Sequence, residues 1–167
     1  MVILKINIKQ LILCIAIPLL VGGLAAFLTR DSMDIFTQLD KPPLSPPGIL
    51  FPIVWTILYT LMGIASYLVV SSDADKEEIQ NALFVYGLQL AVNFFWSIFF
   101  FNLGWYLFAF FWLLLLWGFI LYTIVVFYRI SKPAAYLRLI HLSNALFPIV
   151  VRFVAFPKFI FLKLSQL

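Results

Sequence analysis

Apolar residues run without a single charged side chain or histidine through four stretches of the chain, 10–28, 49–70, 82–101 and 103–128. A helix rises about 1.5 Å per residue and the hydrocarbon layer of a bilayer is about 30 Å thick, so roughly 20 apolar residues suffice to cross it. The pattern therefore predicts four transmembrane helices. A fifth apolar stretch, about 134–162, is interrupted by Arg138, His141, Arg152 and Lys158, and by Pro148 and Pro157. Proline removes a helical hydrogen bond, and arginine near mid-bilayer costs about 2.5–3.5 kcal/mol unless it snorkels or is paired. The expected fold is an all-α membrane protein, a five-transmembrane-helix bundle in one domain over 1–167, with an atypical fifth helix that is kinked or poorly ordered. Arg138 and Lys158 are expected to reach the interfaces, whereas Arg152 is harder to place.

The polar intervals set the topology. They span about 20 residues at 29–48, about ten at 71–81, almost none near Asn102, and a short turn from Arg129 to Pro133. Short connections make neighbouring helices antiparallel and yield an up-down bundle. Lys5, Lys9, Lys76, Arg129 and Lys132 then share one side, and Arg30, Lys41, Lys158 and Lys163 the other, a balance that leaves orientation open under the positive-inside rule. The first apolar run also admits reading as a secretory signal, since Lys5 and Lys9 precede it and it ends near Gly23-Leu24-Ala25-Ala26. Its length favours retention as the first helix.

Composition narrows the function classes. Only 11% of residues are charged while 65% are apolar, against about 25% charged in soluble domains, so the lipid bilayer is the expected surrounding and localisation is integral and multi-pass. The cations are scattered between apolar blocks rather than gathered on one face, which argues against a nucleic-acid partner. One cysteine, Cys14, and one histidine, His141, allow no internal disulfide and no cysteine-based or multi-histidine metal site within one chain. As a lone intramembrane imidazole His141 is a candidate haem ligand or proton relay, beside the simpler reading of a satisfied or interfacial histidine. Asp73, Asp75, Glu77 and Glu78 read as a solvated cap before the third helix. No carboxylate lies inside the four clean spans, which weighs against a proton-coupled pump, and no phosphate loop, triad or paired acid and base is present, so no catalytic residue is assigned.

Candidate binding residues fall in three places. Leu39-Asp40-Lys41-Pro42-Pro43-Leu44-Ser45-Pro46-Pro47-Gly48 carries four prolines in six positions, which fix φ and disfavour helix before each, so the loop is expected to be stiff and extended. It reads as a lid across a helix end or as a rigid connector. In the second predicted helix Trp55 and Tyr59 share a face; in the third, Gln89, Asn93 and Trp96 do, with Ser97 beside them. Amides at bilayer depth turn inward, where they bind a ligand inside an aromatic cage or join helices by hydrogen bonds. Gly22, Gly23 and Gly63 read as sites of close helix contact.

Lys41-Pro42 through Pro46-Pro47, then Phe51, Val54-Trp55, Leu58-Tyr59 and Met62-Gly63, resemble the first-loop and second-helix signature of the TspO/MBR family, also called translocator protein or peripheral-type benzodiazepine receptor. Asn93, Trp96 and Phe100 resemble its third-helix pattern, and Pro133-Ala134-Ala135-Tyr136-Leu137 the start of its fifth helix. The resemblance covers about residues 10–137. It implies a five-helix bundle, often a homodimer, that binds porphyrin, such as protoporphyrin or haem, or another hydrophobic tetrapyrrole-like ligand beneath the first loop, as sensor, transporter or scavenger, with no cofactor required. It also implies that Trp55, Asn93 and Trp96 line the pocket while Pro42, Pro46 and Pro47 shape its lid, with Tyr59 and Ser97 as further ligand-binding candidates. Indole faces stack on a flat macrocycle and an amide hydrogen-bonds it. Some bacterial members are held to degrade protoporphyrin in light, so a light-dependent porphyrin-degrading enzyme is the alternative, and a non-binding assembly subunit a third reading.

Two departures qualify the resemblance. Ile35-Phe36 stand where the family usually carries a Trp-Tyr pair, which removes an aromatic wall, and from Arg138 to Asn144 the fifth-helix signature is replaced. The new cations begin at the same point, which leads to the hypothesis of a reading-frame change near codon 138.

Overall fold

The structure, a computed structural model, describes residues 6–38 and 50–143. All regular structure among them is helical: α1 (Ile8–Gln38), α2 (Leu50–Val70), α3 (Lys76–Ser97), a π-helical turn (Ile98–Asn102) and α4 (Tyr106–Ile130). A fifth helix, α5, covers 132–143, where the described residues end. The proline-rich loop at 39–49, with Pro42, Pro46 and Pro47, and the span beyond 143, with Arg152 and Lys158, lie outside the described residues.

Among the described residues four helices are long and apolar enough to cross a bilayer: Ile8–Ser32, Pro52–Val70, Lys76–Asn102 and Leu107–Ile130. Two of them run past the limits expected from hydropathy. α1 continues ten residues beyond Leu28, to Gln38, because a polar run with no Gly or Pro can prolong a helix after it leaves the apolar layer. α3 starts at Lys76 rather than Ala82, which puts Glu77 and Glu78 inside its first turn, where they meet the positive end of the helix dipole. Asp75 occupies the N-cap position but makes no side-chain capping bond. At the start of α1 Asn7 does cap, its Oδ1 accepting from the Gln10 amide at 3.3 Å, while the Asn7 amide donates to the Tyr67 hydroxyl at 3.0 Å.

The turns are tight. Between the π-helical turn and α4 the chain reverses through Gly104, whose φ of 62° suits a residue without Cβ, and the Trp105 amide donates back to the Phe99 carbonyl at 3.1 Å. α4 and α5 are separated by Ser131 alone, in extended conformation, and Pro133 stands in the first turn of α5, where its missing N–H costs nothing.

α1 packs chiefly on α2 and α3 chiefly on α4, while α1 also meets α3 and the π-helical turn. Glycine sets the α1–α2 distance. A Cβ on Gly63 would lie 2.8 Å from the Cys14 carbonyl oxygen and collide with the Ile15 backbone, and one on Gly22 would enter the Tyr59 ring. Gly23, expected to behave like its neighbour, faces open space. Across α3 and α4, the Trp112 indole donates to the Val92 carbonyl at 2.7 Å.

Two buried clusters fill the interior. One joins Tyr59, Met62, Ala65, Tyr86, Leu90, Phe127, Ala134 and Ala135; the other joins Trp96, Ala109, Leu113, Leu116 and Ile120, with Leu142 of α5 packed against it. Outward faces are apolar as well, as at Leu20, Phe84 and Leu107. Hydrocarbon accepts such an exterior where water would not.

Candidate functional site

The interior face of α3 carries Tyr86, Gln89, Asn93 and Trp96, all buried, at the three- and four-residue spacing that stacks side chains along one stripe. α2 supplies the facing Tyr59, and the Asn93 amide nitrogen donates to its hydroxyl at 2.9 Å. Trp55, one turn before Tyr59, is half-buried with its ring 5.5 Å from the Tyr59 ring. Trp55, Tyr59 and Asn93 thus form one connected group.

Trp96 stands elsewhere on the stripe. It stacks on Phe100 of the π-helical turn at 5.1 Å and meets Phe101 edge-on at 6.2 Å, inside the second cluster. Ser97 follows it as the half-buried last residue of α3. A π-helical turn adds a residue to the helical repeat and often marks a functional position. Here it brings Phe99 against Trp105, Phe108 and Trp112 at the end of the α3–α4 pair.

Several polar atoms on the stripe have no hydrogen-bond partner among the described residues: Gln89 Oε1 and Nε2, Asn93 Oδ1, the Trp96 indole nitrogen and the Tyr86 hydroxyl. Gln89 is completely enclosed and Asn93 nearly so. Of the two amides, Asn93 takes the helix-joining role with half of its capacity, and Gln89 takes none.

α5 completes the enclosure and corrects one expectation. Arg138 does not reach an interface; it is wholly buried, its guanidinium over the Tyr86 ring at 4.2 Å and over the Phe127 ring at 4.9 Å. The reason is its face. Ala134 and Ala135, small and buried, bring α5 close to α3 and α4, and Arg138 follows one turn later on the same side. His141, another turn on, is buried too. None of the Arg138 or His141 side-chain nitrogens has a hydrogen-bond partner among the described residues. Tyr86 escaped the reading of the sequence, although it precedes Gln89 by one turn on the same face.

Among the described residues no group of three or more His, Cys, Asp and Glu side chains comes together as a metal site. The arrangement suits an organic ligand, with aromatic walls around a few inward amides and N–H donors. Fold and site together define an integral, multi-pass helical membrane protein with a polar stripe inside an aromatic bundle.

Comparison with known proteins gives the lineage. The TspO/MBR family model matches residues 14–154, so the match continues past Leu137, where the motif resemblance stops. The chain is 38% identical over 132 residues to the tryptophan-rich protein TspO of Chlorobaculum tepidum, covering 78% of this chain and 84% of that protein. It is 34% identical over 124 residues to the translocator protein of Bos taurus, covering 71% and 72%, and 33% identical over 102 residues to the tryptophan-rich sensory protein of Cereibacter sphaeroides, covering 61% and 62%. The chain belongs to the TspO/MBR family.

Proposed function

We propose that this protein binds a porphyrin, such as protoporphyrin or haem, or a related hydrophobic tetrapyrrole within its helical bundle, and serves as a sensor, transporter or scavenger of it. One observation carries the reading. Trp55, Tyr59 and Asn93 are joined across α2 and α3, and on the same interior stripe Gln89, the Asn93 carbonyl oxygen and the Trp96 indole nitrogen keep unused hydrogen-bonding capacity among the described residues. A macrocycle offers flat faces for the indoles and polar groups for the amides. Trp55, Tyr59, Asn93, Trp96 and Ser97 are the proposed lining, and Pro42, Pro46 and Pro47 the proposed lid. Family membership supports a sensory or translocating role, since relatives carry the names tryptophan-rich sensory protein and translocator protein.

The proposal keeps α5 as the atypical part of the bundle, with Arg138 and His141 at interior positions. The family match runs through residue 154; sequencing the locus tests a reading-frame change near codon 138, which an alternative frame restoring the tryptophan-containing helix supports and an open frame with no such match removes. Assembly as a homodimer belongs to the same proposal and is tested by cross-linking in native membranes.

Titrating the purified chain with protoporphyrin in detergent, in the dark, tests the function. Saturable quenching of tryptophan fluorescence is expected, weakened in a Trp55→Phe, Trp96→Phe double variant. Absence of saturable quenching refutes the binding reading, and unchanged affinity in the double variant refutes the site. Repeating the titration under light separates a binder, which shifts the porphyrin band, from an enzyme, which consumes it with turnover.

A further inference from the structure

The buried cation on α5 has no counter-ion among the described residues. Arg138 is enclosed completely, its three guanidinium nitrogens have no hydrogen-bond partner among the described residues, and the described acidic side chains, Asp31, Asp73, Asp75, Glu77 and Glu78, are all exposed. From Ile79 onward the sequence contains no Asp or Glu at all. The only ion pair among the described residues is Arg30 with Asp31, on the surface. A guanidinium buried without an anion is strongly unfavourable unless something else supplies one.

Its surroundings bear on which chemistry would fit it. The Tyr86 and Phe127 rings lie against the guanidinium, and a cation–π contact steadies the charge without accepting from its N–H groups, which stay available to another partner. α4 runs opposite to α3 after a tight turn, and α5 runs opposite to α4 after Ser131; α5 therefore runs alongside α3 in the same direction. Three residues advance both helices by about 4.5 Å. Arg138 stands level with Tyr86, and His141 accordingly comes level with Gln89. Leu142 against the cluster of Trp96 is consistent with that register. Guanidinium and phenol thus share one level, with imidazole and carboxamide about 4.5 Å further along, each with atoms unpartnered among the described residues.

We propose that Arg138, with His141 and Gln89, forms a carboxylate-binding subsite inside the membrane bundle, and that the protein's ligand is an amphiphile whose apolar body lies along the aromatic stripe with its carboxylate on the guanidinium. The planar fork of arginine matches a carboxylate with two parallel hydrogen bonds, and the flanking N–H donors of His141 and Gln89 add to them. The carboxylate has two sources, the acid side chain of a tetrapyrrole or the head of a fatty acid. The first source rests on the function proposed above; the second does not.

The test uses the full chain in detergent, with protoporphyrin IX, its dimethyl ester and laurate as probes. Fluorescence titration reads porphyrin affinity, and thermal unfolding reads stabilisation by each probe. The free acid is expected to bind about tenfold or more tighter than the ester, the worth of one charge-assisted hydrogen bond or more. Arg138→Met should abolish that difference, and Arg138→Lys, which keeps the charge without the fork, should retain part of it. Should Arg138→Met fail to fold, His141→Leu and Gln89→Leu are expected to reduce the same ratio. Equal affinity of acid and ester, or an undiminished ratio in the variants, overturns the tetrapyrrole source while leaving porphyrin binding intact. If neither porphyrin binds, the proposed function falls and laurate decides the subsite: stabilisation of the native chain that Arg138→Met loses upholds it, and no stabilisation overturns it.

Discussion

Asn93 and Arg138 are both buried polar side chains on neighbouring helices, yet the bundle treats them in opposite ways. Asn93 donates to Tyr59 across the α2–α3 contact, and a glycine on the next helix, Gly22, makes room for that tyrosine ring. Arg138 receives two aromatic faces and no acceptor among the described residues. The first arrangement is a helix-joining contact, complete apart from one oxygen. The second is a buried cation without an acceptor among the described residues, and removing the side chain in each place should therefore have opposite consequences for stability.

The largest effect is expected at the α1–α2 contact beneath Tyr59. Gly63→Val would drive a side chain into the Cys14 and Ile15 backbone, and because backbone yields less than side chain we expect a loss of about 3 kcal/mol or more, read as thermal unfolding in detergent or as absent folded protein. An unchanged unfolding temperature would show that α1 and α2 do not meet as closely as described. Tyr59→Phe is smaller and more selective. It deletes the acceptor of the Asn93 amide and should cost about 2 kcal/mol, the worth of a buried polar group left unpartnered. Combining it with Asn93→Leu should recover part of that loss; strict additivity would contradict a direct bond.

Arg138→Met reverses the sign. Replacing a buried cation that has no ion-pair partner among the described residues with an apolar side chain of similar length should stabilise the ligand-free chain by about 1 kcal/mol, measured by denaturant or thermal unfolding of stripped protein. Marked destabilisation would mean that the cation–π contacts outweigh the burial cost. The smallest effect belongs to Gly23→Ala. With open space around it and a helical backbone, alanine should add about 0.5 kcal/mol through helix propensity, whereas the same change at Gly22 should destabilise by pressing on Tyr59.

How much of this was legible in the sequence differs from element to element. The four spans follow from length and charge alone, because an uncharged run of about 20 residues has few other uses. The true ends of α1 and α3 do not follow, since Thr29 to Gln38 and Lys76 to Asn81 are polar yet helical, and hydropathy measures the solvent a residue prefers rather than its backbone. On α3 the spacing of Gln89, Asn93 and Trp96 announces one face, while the choice between joining helices and binding a ligand depends on whether a partner stands opposite. Tyr59 stands opposite Asn93, and no hydrogen-bonding group among the described residues serves Gln89. Arg138 is the clearest miss. A cation four residues past Ala134 and three past Ala135 lies on the face they bury, but that face is defined only by what α5 packs against.

By itself the sequence determined a multi-pass helical membrane protein, its family, its antiparallel order and the residue types available for binding, because those depend on local hydropathy, turn length and motif. Only the tertiary structure decided that Gly22 and Gly63, but not Gly23, sit at a close crossing, that among the described residues Asn93 has a side-chain partner while Gln89 has none, and that Arg138 lies inside rather than at the surface. Each of those outcomes depends on which helix faces which, and helix azimuth in a bundle is set by the summed packing of all its neighbours rather than by any segment alone.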